Sequence, residues 1–377
     1  MRRAVIMSGS PHLENLWLKG TAALFEETGG NTGNLAFRYG LASHTKNVAF
    51  SRWDAPVAEI RAAGDVLLLP LANQLGSHTD LGDQAERIEA IGLPVVGIGL
   101  GAQAPSHDVA ASWTAGTERW LRTLIAHAPS DQPNLGVRGA YTLEQIDRLG
   151  LADRVAVTGC PSNFLNMRDD LAPVLAARYD RRPEVVAVAA GIPYIPAMQA
   201  VEQQLAQLVT DTGGAYIVQH GLEMLHLARG EFAALGSARL ELCRSYIRPE
   251  LSVAEFTRWC RTHAYAFFHL PSWLEFLRRF DFVVGSRFHG AMLALQVGVP
   301  AGVIAHDSRT REMCQTMGVP VRLHTEIDAP LTAENLPSLF AFDPQDFRAR
   351  RRTLHAAYCQ LFADAQLEMV APLRSMF

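Results

Sequence analysis

Short aliphatic runs recur along the chain, each bounded by turn residues and followed by a more polar stretch with helical spacing. AVIM at 4–7, VLLLPL at 66–71, PVVGIG at 94–99 and RVAVTG at 154–159 come first; VVAVAA at 185–190, AYIVQH at 215–220, FDFVVG at 280–285 and PAGVIA at 300–305 continue the series. Strands covered on both faces need continuous rather than alternating apolar residues, so these runs read as buried parallel strands. Helical patterns over 83–92, 140–149 and 197–211 lie between them, and the alternation predicts an α/β protein with parallel sheets. The stretch 221–263 is mostly helical without a strand signal, and 344–377 reads as helix that can pack back over the first half.

A single open sheet holding all these strands would be unusually long. Pro161, Pro173 and Pro183 punctuate 161–184, and the charged run RYDRRPE precedes a fresh strand, which places a domain boundary near 180. The expected architecture is therefore two Rossmann-like domains, 1–180 and 181–377, facing each other across a cleft, with roughly five and roughly four strands.

Composition removes several classes of function. Apolar residues make up 49 % of the 377 positions and charged residues 19 %, enough for sizeable cores and unlike a disordered chain. Lys and Arg number 34 against 38 Asp and Glu, a net charge of −4 with no long like-charge block, which argues against a nucleic-acid partner. The first apolar run is cut short before His12 and Glu14, so neither a signal peptide nor a membrane span is expected. Five widely spaced cysteines with no C-x-x-C pair read as reduced thiols in a cytosolic protein.

Several motifs fail in context. GIGLGA at 97–102 fits G-x-G-x-x-A after a strand, but Gln103, Ala104, Pro105, Ser106 and His107 follow where a helix should open. Glycines ending a buried strand beside a cleft are the preferred reading over dinucleotide binding. GGNTGN at 29–34 lacks the Lys and Ser/Thr of a phosphate-binding loop, although Gly33 and Asn34 look like a loop feeding a helix that faces a cleft. The absence of D-x-D, H-E-x-x-H and G-x-S-x-G leaves no metal site or hydrolase elbow to assign.

The stretch 280–320 carries the chemistry as two successive strand–loop–helix units. The first strand ends at Gly285 and Ser286, and a helix begins near His289 and Gly290. Arg287 and His289 thus fall at the carboxyl edge of a sheet beside a helix amino terminus, where anions are favoured. In the second unit His306, Asp307 and Ser308 are cap candidates, with Arg309 and Arg311 in the first helical turn. Cations there oppose the helix dipole by about 0.3 to 1 kcal/mol, which implies an anionic ligand or an acidic neighbour.

GSRFHGAMLALQVGVP at 285–300, with HDSRTRE at 306–312, resembles the signature of the polysaccharide pyruvyl transferase family. VRGAYTLEQIDRLGL at 137–151 followed by VTGCPS at 157–162 is similar to its middle segment, and NTGN at 31–34 to its amino-terminal N-x-G-[DN] loop. S-R-x-H-G is the specific part of a resemblance that spans about 30–320. The chain departs from the family in its ETGGNTGN loop and in the helical stretch 221–263, both of which bear on the acceptor.

The resemblance implies a GT-B-like pair of Rossmann-type domains, phosphoenolpyruvate as donor, a sugar diol of a polysaccharide or its precursor as acceptor, and a pyruvate ketal plus phosphate as products. It needs no cofactor beyond that co-substrate, and a lipid-linked acceptor would add peripheral membrane contact. By position it implies Arg287 and His289 as catalytic and Arg138 as a donor ligand; Ser286 and Gly290 of the same motif, and Ser308 and Arg309 of the second basic unit, are the further donor-side candidates. His289 takes either proton transfer or phosphate binding, since an acid titrating near neutrality suits His. Asn31, Asn34, His78 and Gln103, on first-domain loops, are the acceptor-side candidates. Two alternatives stand beside this: a metal-independent GT-B glycosyltransferase holding a nucleotide sugar at the same basic edge, and a glycan-binding protein without turnover.

Overall fold

The computed structural model of the chain describes residues 1–104 and 109–377; Pro105, Ser106 and His107 lie outside the described residues. Strands β1 (Ala4–Ile6), β2 (Val48–Phe50), β3 (Val66–Pro70), β4 (Val95–Leu100), β5 (Leu135–Val137) and β6 (Val155–Val157) form one parallel sheet in the order β2-β1-β3-β4-β5-β6. Strands β7 (Val186–Ala189), β8 (Ala215–Val218), β9 (Ala264–Ala266), β10 (Phe282–Gly285), β11 (Ala301–Ala305) and β12 (Val321–Leu323) form a second, ordered β12-β11-β10-β7-β8-β9. Two doubly wound α/β halves therefore face each other. Strand order reverses between β1 and β3 in the first sheet and between β7 and β10 in the second, the positions where crevices open beyond the carboxyl ends of the strands.

The apolar runs became strands because both sheet faces are covered: β4, β7, β8, β10 and β11 are buried along their whole lengths. Each sheet has six strands where about five and four are expected from the pattern. Strands β1 and β6 are three residues long but lie in the apolar runs AVIM and RVAVTG; β2, β5, β9 and β12 are equally short, and none of the aliphatic runs marks them. Three of them are sheet edges with partly exposed residues, and β5 is interrupted by Gly136, where an added Cβ would lie 2.4 Å from Thr158 Oγ1. Neighbouring strands, not local sequence, create these elements.

The final stretch is not one helix. A helix over Pro344–Asp364, capped by Asp343, is followed by a turn at Gln366 (φ 58°) and a short helix over Ala371–Arg374. The long helix does return to the first half. Arg351, 2 % exposed, donates to the carbonyls of Asn163, Asn166 and Arg168, and Lys46 pairs with Glu368 at 2.7 Å. Three further links tie the halves together: Thr32 N–H to Gln219 O at 2.8 Å, Ser308 Oγ to Ala104 O at 2.7 Å, and Glu312 accepting from Thr142 N at 2.7 Å and Thr142 Oγ1 at 2.9 Å. Among the described residues no helix is long and apolar enough to cross a membrane.

Candidate active site

A cleft of about 520 Å³ lies between the two sheets at their carboxyl edges. Its basic wall comes from three places. Arg287 ends the loop after β10 and is the N-cap of the helix Phe288–Gln296, in extended conformation. That loop departs from β10 at Gly285 (φ 156°), where a Cβ would meet Ala189 O at 2.2 Å, so a side chain is not accommodated. Arg138 leaves the end of β5, and its Cδ lies 3.0 Å from the Cβ position of Gly101. The last glycine of GIGLGA thus gives passage to an arginine stem. No helix follows that motif among the described residues until Ala115–Ala126, so a dinucleotide has no amino terminus to meet there. Arg309 stands in the first turn of the helix Ser308–Met317, whose N-cap Asp307 accepts from Thr310 N at 2.8 Å and from Arg309 at 3.2 Å. Asp307 is the acidic neighbour that the dipole argument asks for; Arg311, on the same turn, is exposed.

The guanidiniums are poorly satisfied. Arg287 Nε and Nη2 and Arg138 Nε are buried without a hydrogen-bond partner among the described residues. Desolvation, together with the charge of Arg309, draws both groups down to about 10. Buried donors in this state call for an anion. Behind Arg287, Glu202 accepts from Tyr216 Oη and from Gly191 N at 3.0 Å, and burial raises its carboxyl above the ordinary range.

His289 sits between these cations. Desolvation, then Arg138 and Arg309, push its imidazole down to about 3, so it is neutral at physiological pH and does not titrate near neutrality as the sequence argument requires of an acid. Its Nε2 lies 3.6 Å from Cys160 Sγ, a neighbour that sequence distance conceals.

Ser286, Arg287, His289, Arg138 and Arg309 all line the cleft, as do Asn31, Asn34, His78 and Gln103 on the first-domain side. Two expected donor ligands do not. Ser308 donates its hydroxyl to Ala104 O at 2.7 Å and serves as a link between halves. Gly290 is buried under Gln219, whose Nε2 would lie 2.7 Å from an added Cβ; the glycine makes room for that amide. Asn31, Asn34 and Gln103 also carry local structure. Asn31 Oδ1 accepts from Gly33 N at 2.8 Å, Asn34 Nδ2 donates to Thr28 O at 2.9 Å, and Gln103 Oε1 accepts from Asn73. Each keeps a second polar group to offer a ligand.

Sequence reasoning missed Gln219 and His220. Both line the cleft, Gln219 Nε2 is buried without a partner among the described residues, and His220 Nδ1 meets Gly30 O at 2.5 Å. The polar pair closing AYIVQH, at the carboxyl end of a buried parallel strand, was the available signal.

Fold and cleft define a two-domain α/β protein with a basic site between its halves. A family model described as polysaccharide pyruvyl transferase matches residues 64–308, and the chain belongs to that family of polysaccharide-modifying transferases. No curated protein matches it in a sequence search. Among solved structures it is similar to MnaA of S. aureus in complex with UDP (10 % identity, TM-score 0.45, covering 96 % of this chain and 98 % of that one). A putative UDP-N-acetylglucosamine 2-epimerase from Listeria monocytogenes shows 13 % identity and a TM-score of 0.39 over 81 % of this chain and 75 % of that one. A ugt transferase from Siraitia grosvenorii in complex with UDP shows 11 % identity and a TM-score of 0.40 over 96 % of this chain and 99 % of that one.

Proposed function

We propose that the protein transfers the pyruvyl group of phosphoenolpyruvate to two hydroxyls of a sugar, forming a cyclic ketal and releasing phosphate. The observation that carries this is the pair of arginines with buried, unpartnered N–H groups, Arg287 and Arg138, converging with Arg309 on a neutral histidine. Phosphoenolpyruvate presents a phosphate and a carboxylate, each of which a guanidinium fork can grip in a bidentate manner. A nucleotide would ask in addition for a carboxylate on its ribose, and no Asp or Glu is among the described residues lining the cleft.

The donor also prepares its own acid. Anionic groups against Arg138 and Arg309 cancel the charges that help keep His289 neutral, and an opposite charge within about 4–6 Å raises such a pKa by about 1 to 3. His289 then gives a proton to the vinyl CH₂, which becomes CH₃ and leaves an oxocarbenium-like carbon. One sugar hydroxyl adds there and loses its proton. A second hydroxyl displaces phosphate, whose C–O bond breaks as the ring closes. Asn31, Asn34, His78 and Gln103, which line the same cleft, are the groups to hold the diol.

The test is a reaction in D₂O with phosphoenolpyruvate and a panel of glycosides, read by mass spectrometry. Expected are a ketal methyl carrying one deuterium and one phosphate per ketal. His289→Ala should be slower by about 10²-fold or more, the ordinary contribution of a general acid. A vinyl ether with its CH₂ intact would overturn the ketal mechanism. Thermal stabilisation by a nucleotide sugar and none by phosphoenolpyruvate would overturn the donor assignment.

A further inference from the structure

The imidazole of the site is held by sulfur rather than by a carboxylate. Cys160 follows β6 at a turn set by Gly159 (φ 69°), and the next residue, Pro161, opens a short 3₁₀ turn over Pro161–Phe164. Gly40, on the helix Asn34–His44, lies under that turn, with its Cβ position 3.1 Å from the carbonyl of Pro161. The turn is clamped, and Cys160 Sγ is fixed with two polar neighbours: His289 Nε2 at 3.6 Å and Ser162 Oγ at 3.1 Å.

The hydroxyl of Ser162 donates into the sulfur. Cys160 and Ser162 are both buried, and desolvation raises the thiol pKa, so the sulfur keeps its proton. With one lone pair of sulfur occupied by Ser162, the S–H is directed to the other neighbour, the ring nitrogen of His289. A neutral imidazole receiving a hydrogen bond at one nitrogen carries its proton on the other.

We propose that Cys160 is a positioning residue: its S–H donates to His289 Nε2, fixing the neutral ring as the Nδ1–H tautomer and making Nδ1 the nitrogen that meets the substrate. When the bound donor raises the proton affinity of the ring, a second proton taken up from solvent sits on Nε2 and points at sulfur, while the S–H turns to Ser162 Oγ and the Ser162 hydroxyl hydrogen turns away from sulfur. Nδ1–H is the acid. No bond to sulfur forms or breaks. The kinetic consequence rests on the pyruvyl-transfer reading; the tautomer does not.

The tautomer is read directly by long-range ¹H–¹⁵N correlation on protein labelled at histidine, with His289 assigned by the resonance lost in His289→Gln. Expected for the wild-type protein without substrate is the Nδ1–H form. Cys160→Ala should convert it to a mixture, and Cys160→Ser, which keeps a hydroxyl donor, should hold the wild-type form. In the enzymatic arm, Cys160→Ala should lower kcat by about tenfold with KM for phosphoenolpyruvate within about twofold, and Cys160→Ser should restore it. An Nε2–H tautomer in the wild-type protein, or a spectrum unchanged in Cys160→Ala, would overturn the proposal. A correct tautomer in a protein that forms no ketal would instead refute the reaction and leave the positioning role standing.

Discussion

Replacing Arg138 by Met should make the protein more stable and deaf to its donor. Arg138 is 4 % exposed, its Nε has no partner among the described residues, and desolvation with the charge of Arg309 pulls the guanidinium down to about 10 from an ordinary value above 12. Each tenfold change in proton affinity is about 1.4 kcal/mol, so holding Arg138 charged at neutral pH costs the folded chain about 3 kcal/mol. Met retains an unbranched stem that can lie over Gly101, where the arginine Cδ now runs. Loss of the buried charge at conserved volume should raise stability by about 1–3 kcal/mol, a few degrees in melting temperature. In the same experiment phosphoenolpyruvate at a hundredfold excess over its Kd should stabilise the wild-type protein by about 2.7 kcal/mol and the variant hardly at all. Scanning calorimetry with and without the donor measures both quantities. If Arg138→Met loses more than about 1 kcal/mol, or is still protected by phosphoenolpyruvate as the wild type is, the arginine belongs to the structure and the anion site is misassigned.

Other outcomes follow from individual contacts. His44, buried between Tyr358 and Phe164, is held down to about 3 mainly by desolvation, while the unfolded chain binds that proton near 6.5. Between those values the unfolded state carries the extra proton, so His44 should remove about 1.4 kcal/mol of stability per pH unit as pH falls; urea midpoints at pH 7, 6 and 5 should flatten in His44→Gln, and equal slopes would sink the argument. Glu312→Ala strips Thr142 of both its acceptors and should cost about 1–3 kcal/mol. A double-mutant cycle with Thr142→Val should return a coupling of at least about 1 kcal/mol; simple additivity would mean that the two groups do not hold the halves together. Cys160, buried and with its thiol pKa raised, should resist iodoacetamide in the native protein, and mass spectrometry finding rapid alkylation there would contradict that environment. Arg287→Lys should lower kcat/KM for the donor at least about tenfold, because an ammonium cannot offer two parallel N–H bonds; unchanged kinetics in a folded variant would remove Arg287 from the site.

The alternation of apolar runs and helical spacing determined by itself that the chain is α/β with parallel sheets, because strands buried on both faces admit little but aliphatic residues. It also located Arg287, His289 and Arg309 beside carboxyl ends of strands, since in such sheets the loop after a buried run is where polar chemistry can stand, whereas Arg138 was marked only by the family resemblance. Tertiary structure alone decided the rest. Strands β2, β5, β9 and β12, outside the aliphatic runs, exist through pairing with neighbours and carry no local signal. Ser308 and Gly290 sit inside the signature stretch, yet one links the halves to each other and the other clears space for Gln219, because function depends on which way a side chain is turned. The proton affinity of His289 was out of reach as well. It is set by desolvation and by charges on Arg138 and Arg309, groups up to 151 positions away in sequence that folding brings within Coulombic range.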